Sequence, residues 1–226
     1  KKNLDLVQLL VHSGANPNIR NFRGRIPALM AIVLKSGEEI IRFLIENGSD
    51  LNTEDNYGST LLARAAERRY PAIVDLLLDR KIKIPTDENR LWTLLYRAVQ
   101  IDHIRLFRLI LKGNPKIEGA LKSEAKGLVL AAVQQGSEKM LDIFLERKFS
   151  LDVVNRYGNG AIHLAAGQGN IRIVKRLLEN GLSINRKNLL GKTPLHIAHD
   201  KDNKALAAFL IRQGADPTEY RFPELK

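Results

Sequence analysis

Apolar residues recur at helical spacing along most of this chain, and they come in paired segments. The clearest run lies between Asn155 and Thr218. There Ile173, Val174, Leu177 and Leu178 fall on one face of a 3.6-residue period and predict an apolar helix. Ahead of it, Ile162, Ala165 and Ala166 predict a shorter helix, small on the side where a neighbour comes close. The pattern returns 33 residues on: Gly158 and Gly191 (191 − 158), His163 and His196 (196 − 163), Leu177 and Leu210 (210 − 177). Periods of that length mark stacked repeats. Gly191 suits a tight turn with positive φ. Thr193 suits a helix cap and Pro194 the first helical turn. Gly181 suits a left-handed C-cap. Each unit is therefore read as turn, short helix, reversal, second helix and loop.

The earlier chain follows the same register with growing irregularity. Residues 3–20 supply only the back half of a unit, with Leu6, Val7, Leu9 and Leu10 as its apolar face and Gly14 at its end. That leading half is expected to be a cut through a longer array or an irregular cap. Full units are predicted near 21–54, 55–87, 88–120, 121–154, 155–187 and 188–220, with a tail at 221–226. In the first, Gly24 takes the turn, Pro27 the helix start, and Ile26 the cap position. In the second, Arg69 and Tyr70 occupy the reversal between helices. In the third, Leu91 stands where the turn glycine belongs and Trp92 follows it. The fourth has no turn glycine, and Ser123–Lys126 reads as helix rather than as a hairpin finger. The loop from 112 to 126 is expected to be remodelled. Phe222, Pro223 and Leu225 in the tail either cap the last unit or begin a connection.

GKTPLHIA at 191–198 and LLENG…IN at 177–185, in register with GADP at 214–217, resemble the ankyrin repeat. The resemblance implies an all-α solenoid of stacked helix-turn-helix units forming a single domain. Its concave side would be lined by hairpin fingers and inner helices, and there it would hold a partner protein. Carried over by register, the finger positions include Phe22, Arg23, Arg25, Tyr57, Arg90, Trp92, Arg156, Tyr157 and Lys192. The inner-helix positions add Arg64, Arg68, Arg69, Arg97 and Gln134. Aromatics and arginines are enriched in interface hot spots. Tyr57 and Trp92 are favoured as contacts, whereas Phe22 and Tyr157 are equally explained by packing on a neighbouring finger. Arg64 and Arg97 stand where the family has an apolar residue, so each must reach solvent or a partner, since burying an unpaired charge is costly. Together these arginines suggest a basic lining complementary to an acidic or extended segment. Asn52 matches the loop position at which similar repeats are hydroxylated.

Composition narrows the alternatives. The chain carries a formal net charge of +11, which raises a reading of nucleic-acid or anionic-membrane binding. The charge is spread along the chain rather than blocked, so solvation of outer helices is the simpler account. A second basic cluster, Arg172, Lys175, Arg176, Arg186 and Lys187, is assigned to that solvated outer face. Cysteine is absent, which removes disulfides, thiolate chemistry and cysteine-ligated zinc. A cytoplasmic or nuclear setting and a monomer are expected. The histidines, His12, His103, His163, His196 and His199, are scattered among units, and no HExxH, phosphate loop or nucleophile elbow occurs. No metal, cofactor or catalytic residue is assigned. His163 and His196 are expected to hydrogen-bond nearby backbone. The chain is thus expected to be a non-catalytic interaction scaffold, with a recognition arm of a larger enzyme or effector as the alternative.

Overall fold

The structure, a computed structural model, describes residues 2–218. Among these residues it is helical apart from loops and two isolated bridges, Glu54 with Thr60 and Val154 with Gly160. The chain groups into two compact units, residues 1–110 and 111–226.

In the first unit, α1 (Lys2–His12) is followed by two helix pairs, α2 (Pro27–Leu34) with α3 (Glu38–Glu46) and α4 (Leu61–Glu67) with α5 (Pro71–Asp79). A third pair is α6 (Glu88–Gln100) with α7 (Ile104–Gly113), whose last residues, from Leu111, belong to the second unit. The inner helices α2, α4 and α6 pack in series, as do the outer helices α1, α3 and α5. An inner helix of seven or eight residues is too short to persist alone in water. Its stability comes from burial: Leu61, Leu62, Ala65, Ala66, Leu95 and Ala98 are essentially inaccessible. The alanines let inner helices approach, and Ile73, Val74 and Leu77 close the seam from the outer row. The expected apolar face of α1 differs, because no inner helix of its own stands among the described residues. Leu6, Leu9 and Leu10 are therefore exposed, and only Val7 is half-buried.

Caps explain where the helices begin. Thr60 Oγ1 accepts the Ala63 N–H, and Pro27 and Pro71 occupy first-turn positions. The largest departure from expectation is α6. The register placed a finger at 88–92, but the helix starts at Glu88, capped by Asp87 through the Arg90 N–H. Trp92 and Arg90 consequently lie on a helix. The cause is local. The finger needs a short Asx side chain at its mouth and a glycine three residues on, as in Asp55 and Gly58. Glu88 and Leu91 supply neither, and Asp87 offers a helix cap instead.

In the second unit, α8 (Pro115–Glu124) replaces the remodelled loop, with only Ala125 between it and α9 (Lys126–Gln135). The pairs α9 with α10 (Glu138–Glu146), α11 (Ala161–Gly167) with α12 (Ile171–Glu179) and α13 (Pro194–Asp200) with α14 (Lys204–Arg212) follow. Inner helices α9, α11 and α13 pack in series. His163 is buried here. Its Nδ1 accepts the Gly160 N–H at 3.1 Å, and its Nε2–H donates to the carbonyls of Arg186 (2.9 Å) and Lys192 (3.1 Å). One imidazole thereby ties a helix start to the next loop. Asn52, exposed in the first unit, does a related job: its Oδ1 accepts the Lys83 N–H of the following loop. Asn18 and Asn185 do the same for Asp50 and Asp216. The tail residues Phe222, Pro223 and Leu225 lie outside the described residues.

Candidate binding surface on fingers and inner helices

Two fingers project from the first unit and two from the second, and all four are built alike. One Asx side chain at the mouth accepts two backbone N–H groups. Asn21 Oδ1 takes those of Arg23 and Arg25, and Asp55 Oδ1 those of Tyr57 and Ser59. Asn155 serves Tyr157 and Asn159, and Asn188 serves Leu190 and Lys192. The side chains near the finger tips, Phe22, Tyr57, Tyr157 and Leu189, stay exposed. Adjacent fingers are zipped by single backbone bonds, Asn56 N–H to Arg23 C=O and Leu189 N–H to Tyr157 C=O.

The predicted contact residues separate into distinct groups. Phe22 is 84% exposed at a tip, with the Arg23 guanidinium 5.2 Å from its ring centre. Arg25 is not available to a partner. It is 8% exposed and its Nε donates to Asp55 Oδ2 at 2.9 Å, beneath the ring of Tyr57. Burial alone would push the Asp55 carboxyl up, but the Ser59 N–H, the Arg25 guanidinium and the Tyr57 N–H together hold it below the ordinary carboxylate range. Tyr57 itself is 69% exposed. Arg69 is exposed with φ of 61°, while Arg68 is half-buried at the C-cap of α4. Trp92 is half-buried on α6. In the second unit Gln134 is exposed near the end of α9, Arg156 stacks on Tyr157 at 4.7 Å, and Lys192 is paired with Asp200 at 2.5 Å.

Four of the predicted residues come together. Tyr57, Arg64, Arg90 and Arg97 line a cleft of about 300 Å³ between the second finger, α4 and α6, with Ser59, Thr93 and Glu67. Arg64 donates to Glu67 Oε2 (2.6 Å) and Ser59 Oγ (2.8 Å). Arg90 is held by Glu54 Oε1 at 2.7 Å. Arg97 donates to Gln100 Oε1 at 2.7 Å. Glu54, outside the expected set, lies 36 residues from Arg90 (90 − 54), and pairs with it where Arg90 sits in the first turn of α6.

The outer face is different. Arg105 pairs with Asp75 and Asp79, and Arg172 with Glu138. Arg176 pairs with Asp142 and Arg186 with Asp152. Three of the five cations expected to be merely solvated are thus compensated by carboxylates of the preceding helix pair or loop, because the repeat sets them side by side. Arg23, Arg68, Arg69 and Arg97 make no ion pair with a described carboxylate. No cluster of three metal-ligating side chains occurs among the described residues, and none of their helices is long and apolar enough to cross a membrane.

A family profile of three ankyrin repeats matches residues 1–88 and again 128–221. The chain belongs to the ankyrin-repeat family. Such repeats generally mediate protein–protein interactions. A putative ankyrin repeat protein of Escherichia coli, YahD, is 39% identical over 83 residues, 34% of this chain and 41% of that protein. A putative ankyrin repeat protein of Rickettsia bellii is 30% identical over 112 residues, covering 49% of this chain and 62% of the relative. The chain therefore spans less than two thirds of each of these relatives. Among solved structures, the ankyrin repeat domain of human ASB11 superposes with a TM-score of 0.61 at 23% identity, covering 95% of both chains. The ankyrin repeat domain of Bcl-3 gives 0.53 at 23% identity, covering 92% of this chain and 91% of that one. At that identity the likeness concerns the fold alone.

Proposed function

We propose that this ankyrin-repeat chain is a non-catalytic scaffold that holds an extended, acidic segment of a partner protein. The segment lies along the finger and inner-helix side of the first unit. One observation carries the reading: Arg68, Arg69 and Arg97 on that side have no carboxylate partner among the described residues, although Arg25, Arg64 and Arg90 do, whereas Arg105, Arg172, Arg176 and Arg186 on outer helices and loops are neutralised. Uncompensated cations beside an exposed tyrosine give a partner both a steering field and an anchor. Compensated outer cations weaken the case for binding nucleic acid or membrane through bulk charge. We place the chain, as a monomer, in the cytoplasm or nucleus, since ankyrin-repeat proteins are commonly intracellular.

The test is affinity capture with the intact chain, comparing charge reversal on the two sides. Arg68→Glu with Arg69→Glu is expected to lose the retained partner, and Arg172→Glu to keep it. Loss by both, or by neither, contradicts the reading.

A further inference from the structure

Arg64 and Arg97 stand 33 residues apart (97 − 64) at one register position, and each is followed three residues on by its partner. For Arg64 that partner is Glu67, a carboxylate; for Arg97 it is Gln100, a neutral amide. The exchange changes the charge of the cleft. Arg64 is cancelled by Glu67 and Arg90 by Glu54, so the positive charge of Arg97 is left over. Its Nη1 is bonded to Gln100 Oε1, which leaves the remaining donors of the planar fork for another acceptor. Arg64 Nε, on the opposite wall, is buried without an acceptor. Thr93 and Ser59 add hydroxyls, and Tyr57 and Leu94 add apolar surface.

A space of about 300 Å³ is at the small end of ligand-binding pockets, enough for one side chain and the backbone that carries it. One unbalanced guanidinium matches a monoanion. A phosphorylated residue would bring nearly two negative charges against a wall that already holds Glu67.

We infer that the cleft between α4 and α6 is a subsite for a single aspartate or glutamate side chain of the bound segment. Arg97 is its anchor, and Gln100 is the residue that leaves that anchor charged and free. This rests on the proposed scaffold role and adds to it a defined point of recognition.

The probe is a nine-residue Gly/Ser peptide with one central glutamate, alongside glutamine and phosphoserine versions. Binding to the full chain is read from the arginine Nε–H resonances. The glutamate peptide is expected to shift Arg97 and Arg64 saturably, and the glutamine peptide to leave them in place. Arg97→Gln is expected to weaken the glutamate peptide about tenfold or more, the lower end for losing a charge-assisted bond. Gln100→Glu rebuilds the Arg64–Glu67 arrangement one repeat later and should abolish binding without removing any packing. Equal shifts with the glutamine peptide, tighter binding of phosphoserine, or Gln100→Glu behaving as the parent would overturn the assignment. If Gln100→Glu still captures the partner while Arg68→Glu/Arg69→Glu does not, the subsite falls and the scaffold stands.

Discussion

Removing the Asp55 carboxylate should cost the first unit more than any other single polar change in its fingers. Asp55 does two jobs with separate oxygens. Oδ1 accepts the Tyr57 and Ser59 N–H groups, and Oδ2 takes the Arg25 Nε at 2.9 Å. The Asp55 side chain has 0% exposure and that of Arg25 9%. Deleting one partner of such a buried pair costs about 3–5 kcal/mol, mostly the charge left behind. Arg25 can swing part of its fork outward beside Tyr57, so the lower end, about 3 kcal/mol, is expected for Asp55→Ala. Asp55→Asn keeps the Oδ1 acceptor, as Asn21, Asn155 and Asn188 show at the same position. It loses charge compensation and the Oδ2 acceptor for Arg25 Nε, which would then face an amide N–H, and about 2 kcal/mol is expected. Arg25→Met with Asp55→Asn should recover most of the Asn loss, because no buried charge remains. The assay is urea unfolding by circular dichroism, with amide exchange at Tyr57 and Ser59 to localise the effect. Faster exchange at both is expected in Asp55→Ala, with Tyr157 and Asn159 as unchanged controls. Because the folded carboxyl titrates below its ordinary value, its contribution is fully present above about 3.8 and is lost as pH falls through the folded value. The acid limb of the stability curve should therefore flatten in Asp55→Asn. An Asp55→Ala loss under about 1 kcal/mol, or unchanged exchange, would refute the assigned role.

The remaining predictions concern the turns and the buried imidazole. Gly158→Ala and Gly191→Ala share a positive φ, of 73° and 71°, but an added methyl at 158 would lie 2.7 Å from the Leu189 backbone nitrogen, while at 191 nothing lies within 4 Å. Both should destabilise, Gly191→Ala by about 1 kcal/mol and Gly158→Ala by roughly 2–4 kcal/mol, measured by urea unfolding. Lys81 holds φ at 56° where Gly48 and Gly181 stand in two other repeats, so Lys81→Gly should raise stability by up to about 1 kcal/mol in the same assay. Burial lowers the titration of His163 below its ordinary 6.5, against the opposing pull of the Lys192 and Arg186 carbonyls. Its contribution is full above 6.5 and is lost as pH falls through the lower folded value, so the gap in unfolding free energy between parent and His163→Gln should shrink on acidification.

The fold was legible wherever a residue type answers a local geometric demand. Thr193, Pro194 and Gly191 announce the last inner helix because capping, a fixed φ and a positive φ each select a residue. The finger at 88 failed to form for the converse reason, and the missing glycine alone did not reveal that helix would take its place, whereas in the fourth unit Ser123–Lys126 already reads as helix. The site was legible only as a set of faces. Register placed Arg64 and Arg97 correctly as charges that need an outlet, but their outlet proved to be Glu67 and Gln100 three residues away. Arg25, expected at a finger contact, is instead nearly buried in a pairing with Asp55, 30 residues on, which nothing in its own neighbourhood of sequence announces. Compensation of Arg172, Arg176 and Arg186 likewise depends on pairing across consecutive repeats, which single-segment charge counting misses.

The central claim is that the partner runs along the fingers and inner helices of the first unit. Site-specific photocrosslinking in the full chain tests it most directly, with a benzophenone amino acid placed in turn at Tyr57, Thr93, Asp79 and Arg108. Adducts with the captured partner at 57 and 93, and none at 79 and 108, are the result this account predicts. Adducts confined to 79 and 108, or equal yields at all four, would contradict it.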